Sequence, residues 1–330
     1  MVTGNSTQLP ITNYQLPSLI ITGGDPCGIG PEVILKALAA PLPRGVRLSV
    51  IGDARVFEET ARALHRRWPR AVSFIDCPHP GRFRPGRTSA AAGAASLAYL
   101  EEAIRRCRQG LAQGLVTAPV TKWAVGRAHG AFHGHTEYLA AAFRVKRVVM
   151  MCASAQLRVA LLTRHIALRQ VPAQVRSATV QHTAMMVAEG LRRGFHIRRP
   201  RLAICGLNPH AGERGAFGDE ERRILQPALR ALARRGLRVA GPFAADGFFA
   251  QVRAYDAVLC WYHDQGLIPF KMRARDAGCQ VTLGLPIVRT SPDHGSALDL
   301  AGQGTAHAGS MRYAVNLATQ LVLNREDGSV

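Results

Sequence analysis

Short apolar runs alternate with segments of helical periodicity along the chain, and most of the runs end at Gly, Pro, Asp or His. Strands that alternate with helices in this way are typical of a parallel α/β protein. The length of 330 residues suggests two domains. Because no internal repeat or low-complexity linker divides the pattern, we expect them to be compact and interwoven. The predicted strands are residues 18–22, 47–51, 114–117, 147–152, 157–163, 201–205 and 257–261.

The ends of the helices are marked by residues with known positional preferences. Pro31 suits the first turn of a helix, because its fixed backbone angle is helical and its missing N–H has no partner there. Ser89 is an N-cap residue, and Arg234 and Arg235 suit a last turn, where the helix dipole is negative. The predicted helices are residues 31–40, 89–108 and 219–235.

Charge is the unusual part of the composition. The 330 residues include 42 Lys and Arg against 22 Asp and Glu, a formal net charge of +20. Such a charge attracts polyanions, and an arginine-rich nucleic-acid binder is therefore one alternative. The arginines are spread in short groups beside helical patterns, without a DNA- or RNA-binding motif. We interpret them as solvated faces and expect no specific nucleic-acid partner.

Other features bear on location. No apolar run approaches the ~20 residues of a membrane-spanning helix. The first residues are polar and lack Lys and Arg, unlike a secretory signal. None of the seven cysteines forms a C-x-x-C pair, which favours reduced thiols. We expect a cytoplasmic protein with no membrane partner.

A histidine follows the carboxyl end of three of the predicted strands; these are His165, His210 and His263. The carboxyl ends of parallel strands meet at one edge of a sheet, where ligands bind. Three neutral imidazoles at such an edge suit a divalent ion with an open coordination position. The alternative is that each is a hydrogen-bonded structural residue. We favour a metal site, whose ion the ligand type does not decide.

Two segments have the character of anion sites. The segment from Gly28 to Glu32 leads from a strand to a helix N-terminus, where free N–H groups can hold an anion. It is not a dinucleotide fingerprint, because Val33 stands where the third glycine belongs. His135 and Thr136 begin another predicted helix, and either cap it or bind a phosphate; the sequence leaves both alternatives open.

Three charged residues are further candidates. Lys271 is one of only four lysines in an arginine-rich chain, which hints at a need for a compact ammonium. Arg289 could hold a carboxylate through two parallel hydrogen bonds. Asp246 is equally suited to act as a general base, to stand beside a metal, or to cap a helix.

Several motifs of the sequence resemble those of known enzyme families. Residues 24–33 and 293–302 are similar to the metal-dependent β-decarboxylating dehydrogenases of the isocitrate and isopropylmalate type. The middle of the chain is similar to the 4-hydroxythreonine-4-phosphate dehydrogenases (PdxA) of pyridoxal phosphate biosynthesis. The motifs that carry this second resemblance are residues 116–119, 134–137, 163–165, 206–212, 262–266 and 282–289.

The resemblance implies a fold and an assembly. It implies two α/β/α subdomains with a cleft between them, one formed by residues 1–127 and 281–330 and the other by residues 128–280. It also implies a homodimer whose active site is shared across the interface. A divalent metal (zinc, magnesium or cobalt) is implied on His165, His210 and His263, with one of these from the partner.

The resemblance also implies a reaction. NAD or NADP would oxidise 4-phosphohydroxy-L-threonine, a small phosphorylated substrate, at C3, and the 3-oxo acid would lose CO2 to give 3-amino-2-oxopropyl phosphate. The implied substrate contacts are His135, Thr136, Lys271 and Arg289, with Gln280 where the family has asparagine. Lys271 and Asp246 are the candidate catalytic groups, and the dinucleotide is expected at His294, Gly295 and Ser296.

Two alternatives remain. Gln280 carries its amide one methylene further out than asparagine, which allows a related substrate, 4-phospho-D-threonate or 4-phosphoerythronate. In a different class, the three histidines could serve a metal hydrolase that activates water.

Overall fold

One mixed sheet of eleven strands runs through the computed structural model, which describes residues 16–251 and 255–327. The strands are β1 (Ser18–Thr22), β2 (Arg47–Gly52), β3 (Val72–Asp76), β4 (Gly114–Thr117), β5 (Val149–Ser154), β6 (Arg158–Leu161), β7 (Arg201–Cys205), β8 (Arg238–Phe243), β9 (Ala257–Cys260), β10 (Gly278–Leu283) and β11 (Val288–Pro292). Their order across the sheet is β3-β2-β1-β4-β11-β10-β5-β6-β9-β7-β8.

The direction of the strands changes at the centre of the sheet. β3, β2, β1, β4 and β11 are parallel to one another, and so are β6, β9, β7 and β8 in the other half. Between them, β10 is antiparallel to both of its neighbours, and β5 is antiparallel to β6. The expectation of a parallel sheet is therefore wrong at its centre, because the chain between β5 and β6 is too short for a crossover.

Helices cover both faces of the sheet. They are α1 (Gly30–Leu38), α2 (Ala54–Ala63), α3 (Ala90–Arg108), α4 (Lys122–His129), α5 (His135–Ala142), α6 (Val171–Gln174), α7 (Ser177–Phe195), α8 (Gln226–Arg234), α9 (Ala245–Ala250), α10 (His263–Ala274) and α11 (Gly309–Asp327). Leu19 and Ile21 of β1 belong to a core that α1, α2, α7, α8 and α11 cover. Ile20, on the opposite face, packs beneath α3. The α/β class is thus confirmed.

The second face carries two separate helix groups. One core there includes residues of α3 and α5, and another includes Leu267, Phe270 and Ala274 of α10. The gap between these groups lies over β11, β10 and β5. The sheet itself is continuous, so the division at residues 127 and 281 stays a prediction.

All seven predicted strands are present, and three have the predicted bounds, namely β1, β4 and β7. The sequence pattern missed β3, β8, β10 and β11. In β10 and β11 the reason is functional, because Gln280, Arg289 and Ser291 line a cavity and interrupt the apolar run.

The predicted helices hold with one change. Ser89 caps α3 as expected, since its side chain accepts a hydrogen bond from the Ala92 amide at 3.2 Å. The segment 219–235 instead begins with a π-helical turn, Glu221–Leu225, before α8. Pro227 stands in the first turn of α8 and has no N–H to continue a regular helix from the preceding turn.

The seven cysteines are all free thiols, and six of them are buried. Burial raises the pKa of the Cys107 thiol to about 12, which makes it unreactive at neutral pH. Within the described residues, no helix has the length and apolar character needed to cross a membrane.

Candidate active site

A cavity of about 330 Å³ lies in the gap between the two helix groups, above β11, β10 and β5. Alternate residues of these strands form its floor, because side chains at i and i+2 point to the same face of a sheet. The register places Gln280 opposite Cys152 on β5 and Ser291 on β11. Residues from α4 and α5 line one side, and residues from α10 line the other.

Arg289 is a buried cation on the floor of this cavity. Its side chain is only 2% exposed, and its guanidinium donates to the hydroxyls of Thr117 (2.6 Å) and Thr282 (3.0 Å). The third nitrogen, Nε, is buried without a partner, and no carboxylate in the described part of the chain forms an ion pair with Arg289. Burial lowers the pKa of Arg289 to about 10, so the group remains charged at neutral pH. Such a charge needs an anion.

His135 and Thr136 lie at the N-terminus of α5, beside this guanidinium. Burial, together with the positive charges of Arg289 and Lys122, lowers the pKa of His135 to about 3. The imidazole is therefore neutral and can donate a hydrogen bond. Thr136 makes no capping bond, since Gly134 is the N-cap residue, and its hydroxyl accepts from the Gln280 amide at 3.3 Å. Of the two alternatives, the structure contradicts the cap.

The cavity also holds two lysines. Lys271 reaches it from α10, and Lys122 from the first turn of α4. Lys122 was absent from the predicted site, although its position after β4 and the scarcity of lysine were available as signals. It makes no ion pair with any described residue. The two acids in the lining are Glu137 and Asp293, and Glu137 is paired with Arg164 at 3.0 Å. The two lysines and Arg289 therefore give the site an excess of positive charge.

His165 and His263 meet at the rim of the cavity, with their ring centroids 5.8 Å apart. They follow β6 and β9, which are adjacent and parallel, as the sequence argument requires. The Nδ1 atom of His263 is hydrogen-bonded to Asp264 Oδ1 at 2.7 Å. Such a hydrogen bond orients a histidine ring for metal binding through Nε2. Burial and the charge of Lys122 lower the pKa of His165, which favours the neutral, ligating form. Both residues fit a divalent ion.

His210 is not part of this pair. It lies in a short turn, Pro209–Gly215, and its ring stands near that of Phe217, with centroids 6.1 Å apart. Among residues 16–251 and 255–327, no three His, Cys, Asp or Glu side chains are placed to hold a metal ion together. Within the described part of one chain, His165 and His263 therefore come together without His210.

Asp246 also lies outside the cavity. It is exposed in the first turn of α9, and α9 packs against the turn Pro209–Gly215. Asp246 and His210 consequently share one region of the molecule, outside the cavity that His165 and His263 line.

The segment predicted to bind the dinucleotide borders the cavity. His294 and Gly295 line it, while Ser296 packs against the first strand–helix loop. The Ser296 carbonyl accepts from the Ile29 amide at 3.0 Å, and its hydroxyl lies 2.8 Å from that of Thr121. The two segments that resemble β-decarboxylating dehydrogenases are thus in contact.

Comparison with protein families gives a match over residues 29–318 to the pyridoxal phosphate biosynthetic protein PdxA. This chain belongs to the PdxA family. The PdxA match spans every predicted site residue, and it confirms the family that the motifs indicated.

Relatives agree with this assignment over nearly the whole chain. A relative from Acidithiobacillus ferrooxidans, named 4-hydroxythreonine-4-phosphate dehydrogenase, is 42% identical and is matched over 94% of this chain and 97% of its own. The crystal structure of the enzyme of that name from Klebsiella pneumoniae has a TM-score of 0.83 at 35% identity, covering 94% and 99% of the two chains. A terephthalate 1,2-cis-dihydrodioldehydrogenase from Burkholderia xenovorans has a TM-score of 0.64 at 31% identity, covering 92% and 98%.

Proposed function

We propose that this protein oxidises 4-phosphohydroxy-L-threonine at C3 with NAD or NADP, and that the 3-oxo acid then decarboxylates to 3-amino-2-oxopropyl phosphate. The observation that carries the proposal is one cavity with a buried, unpaired guanidinium on its floor and two facing imidazoles at its rim. The names of the relatives support the same substrate.

The phosphate end of the substrate belongs at the N-terminus of α5. There, the backbone N–H groups, the neutral His135 and the Thr136 hydroxyl offer hydrogen bonds to an anion. Arg289 lies behind them and supplies the positive charge. Lys122 remains for the carboxylate, whose charge must be held while C3 reacts.

His165 and His263 of one subunit, with His210 of another, would hold a divalent ion such as zinc, magnesium or cobalt. When bound, such an ion lowers the pKa of a coordinated hydroxyl and polarises the ketone that forms. The hydrogen bond from His263 Nδ1 to the Asp264 carboxylate fixes the His263 ring for this role. The separation of His210 from the pair within one chain is what a shared site requires.

The proposed homodimer also accounts for exposed apolar side chains near the site. Trp123 follows Lys122 in α4 and is 58% exposed, while Met272 follows Lys271 in α10 and is 75% exposed. Phe217, beside His210, is 53% exposed. Large apolar groups around a cleft mark a surface that another protein covers, and a second copy would bring its own turn with His210 to this surface.

The remaining steps fall to proton-transfer groups and the dinucleotide. Lys271 faces the cavity and is placed to take the proton of the C3 hydroxyl. Asp246 would enter with His210 from the partner, because α9 packs against the turn that carries His210. The nicotinamide, bound along His294, Gly295 and Ser296, accepts the hydride.

Reduction of the nicotinamide measures this proposal directly. The protein is incubated with NAD or NADP, a divalent metal and 4-phosphohydroxy-L-threonine, and absorbance of the reduced cofactor is followed. We expect turnover that requires metal and substrate. A folded protein that reduces neither cofactor with any metal contradicts a dehydrogenase, and favours the three-histidine hydrolase if substrate is consumed without cofactor.

Gln280 gives one specific reason to test a second substrate. 4-Phospho-D-threonate and 4-phosphoerythronate lack the 2-amino group, and a displaced amide at position 280 changes the hydrogen bonds available to that end of the substrate. The same assay with these acids distinguishes the two dehydrogenase assignments.

A further inference from the structure

The turn Pro209–Gly215 has an unusual backbone. Five consecutive residues, 210–214, have φ between 41° and 84°, and four of them are not glycine. L-residues avoid this left-handed region because Cβ crowds the following carbonyl oxygen. Such a turn persists only where surrounding groups hold it. The structure must therefore contain an anchor for it.

Glu221 is that anchor. Its side chain is 3% exposed, and it forms no ion pair with any described residue. One oxygen, Oε1, accepts from the amides of Leu207 (2.7 Å) and Asn208 (2.8 Å), and Oε2 accepts from Asn208 Nδ2 at 3.0 Å. Three donors thus converge on one buried carboxylate immediately before the left-handed turn begins. Hydrogen bonds to a charged acceptor are stronger than those between neutral groups.

The turn also closes around this carboxylate at its far end. A Cβ atom on Gly212 would stand 2.6 Å from Glu221 Oε2, and one on Gly206 would stand 3.1 Å from Oε1. The carboxylate leaves no space for a side chain at position 212, and at position 206 it does so together with the Ala211 Cα atom, 2.8 Å from such a Cβ. Glu221 is therefore enclosed by the segment 206–212 on both sides.

The helical segment that carries Glu221 is packed into the main core. Glu221 begins the π-helical turn that leads into α8, and Leu225, Ala228 and Leu232 from this region are fully buried in the main core. A residue fixed to the core through α8 thus determines where the turn, and with it His210, is placed.

We propose that Glu221 is the positioning residue that sets His210 for the divalent ion of the partner's site. The inference rests on the proposed function, in which His210 is a ligand. Glu221 is not itself a ligand, because its oxygens are occupied by N–H donors and enclosed by the turn. Without its negative charge, we expect the left-handed turn to relax and His210 to leave its position.

The test compares Glu221→Gln with Glu220→Gln in the full-length protein. Glu220 is the matched control, because it neighbours Glu221 but accepts a single bond from Asn208 Nδ2, at 2.8 Å. Hydrogen–deuterium exchange of residues 206–215 is measured without metal, and Co²⁺ affinity is measured by titration. We expect Glu221→Gln to exchange at least about tenfold faster and to bind Co²⁺ at least about tenfold more weakly, while Glu220→Gln changes each by less than about threefold.

Other outcomes decide against the proposal. If Glu221→Gln exchanges faster but keeps its Co²⁺ affinity, the carboxylate only stabilises the turn. Should Glu221→Gln fail to fold, Glu221→Asp keeps the charge but withdraws the carboxylate by one methylene from the amides of Leu207 and Asn208, and unchanged exchange and affinity in that variant overturn the inference. His210→Ala is the reference: if it keeps full affinity, the proposed ligand set is wrong as well, whereas loss only in His210→Ala rejects the role of Glu221 alone.

Discussion

The side-chain amide of Gln280 donates to the hydroxyl of Thr136 at 3.3 Å, which joins the floor of the cavity to the N-terminus of α5. Gln280, where the resemblance implies asparagine, thus contacts Thr136, which is predicted to bind the phosphate. An asparagine here would carry its amide one methylene shorter, and the bond to Thr136 would be lost. The hydrogen bond therefore depends on the longer side chain at position 280.

We predict that Gln280→Asn changes kcat/KM for 4-phosphohydroxy-L-threonine by no more than about tenfold, since one hydrogen bond contributes ~0.5–1.5 kcal/mol net. The measurement compares this substrate with 4-phospho-D-threonate on both proteins. We expect the phosphohydroxythreonine to be preferred by both. A preference of tenfold or more for the threonate would make the choice of pathway wrong and leave the dehydrogenase assignment standing.

Arg289 gives a prediction with opposite effects on stability and binding. Replacing a buried, unpaired cation by an apolar residue of similar length removes a desolvation penalty of several kcal/mol, which outweighs the loss of the two hydrogen bonds to Thr117 and Thr282. Arg289→Met should therefore raise the free energy of unfolding by about 1–3 kcal/mol. The same change should raise the substrate KM by about tenfold or more, because the phosphate loses its charged partner. Urea unfolding and steady-state kinetics measure the two effects.

Arg158→Met is the matched control for Arg289→Met. Unlike Arg289, Arg158 is only partly buried, and it stacks 4.7 Å from the centre of the Phe195 ring, outside the cavity. Its replacement should leave the substrate KM unchanged. If Arg289→Met destabilises the protein and leaves KM unaltered, Arg289 is a structural residue.

Part of this site follows from general sequence rules. Strand-end histidines on adjacent parallel strands meet, and His165 and His263 do so. His210 does not join them, because it lies five residues beyond the end of β7 in a left-handed turn. Hydrophobic periodicity does not predict such a turn. The turn depends on Glu221, which the sequence pattern only places in a helix.

The central strands were missed for a related physical reason. Strand prediction relies on apolar runs, and the residues that bind a charged substrate must be polar. Gln280 in β10 and Arg289 in β11 interrupt the runs at the positions that matter for function. The structure identifies them because it places them on one face, beside Thr136.

The depressed pKa of His135 predicts a pH effect on stability. The folded state holds this imidazole neutral down to about pH 3, whereas the unfolded chain protonates it near 6.5. Below pH 6.5 the unfolded state therefore binds the extra proton, and stability falls with pH by ~1.4 kcal/mol per unit until about pH 3. His135→Gln should lack this pH-dependent loss of stability.

Urea unfolding at pH 7.5 and pH 5.5 measures the effect. The difference in unfolding free energy between wild type and His135→Gln should shift by about 1.4 kcal/mol between these two values, in favour of the variant at the lower pH. His133→Gln, an exposed neighbour, serves as the control. Equal pH dependence in wild type and His135→Gln would show that His135 titrates normally.

Gly295 tests where the dinucleotide binds. A Cβ atom at this position would meet no atom within 4 Å outside the neighbouring residues, and the backbone does not require glycine there. Gly295→Leu should fold normally and raise the cofactor KM by about tenfold, with the substrate KM changed by less than about threefold. Gly126→Leu, which also meets open space, is the control. Equal increases in both constants would place the dinucleotide elsewhere.

Mixing two inactive variants tests the shared metal site. His165→Ala and His210→Ala should each lose bound metal and nearly all turnover while remaining folded. In a mixed dimer, the subunit with intact His165 and His263 meets a partner with intact His210, so one of the two sites is complete. After random exchange of subunits, about a quarter of the wild-type activity should return, because half of the dimers are mixed and each has one working site.

Mixing His165→Ala with His263→Ala is the control and should restore nothing, since those two ligands belong to the same subunit's half of the site. Recovery in the control, or none in the first mixture, would reassign the ligands between the subunits.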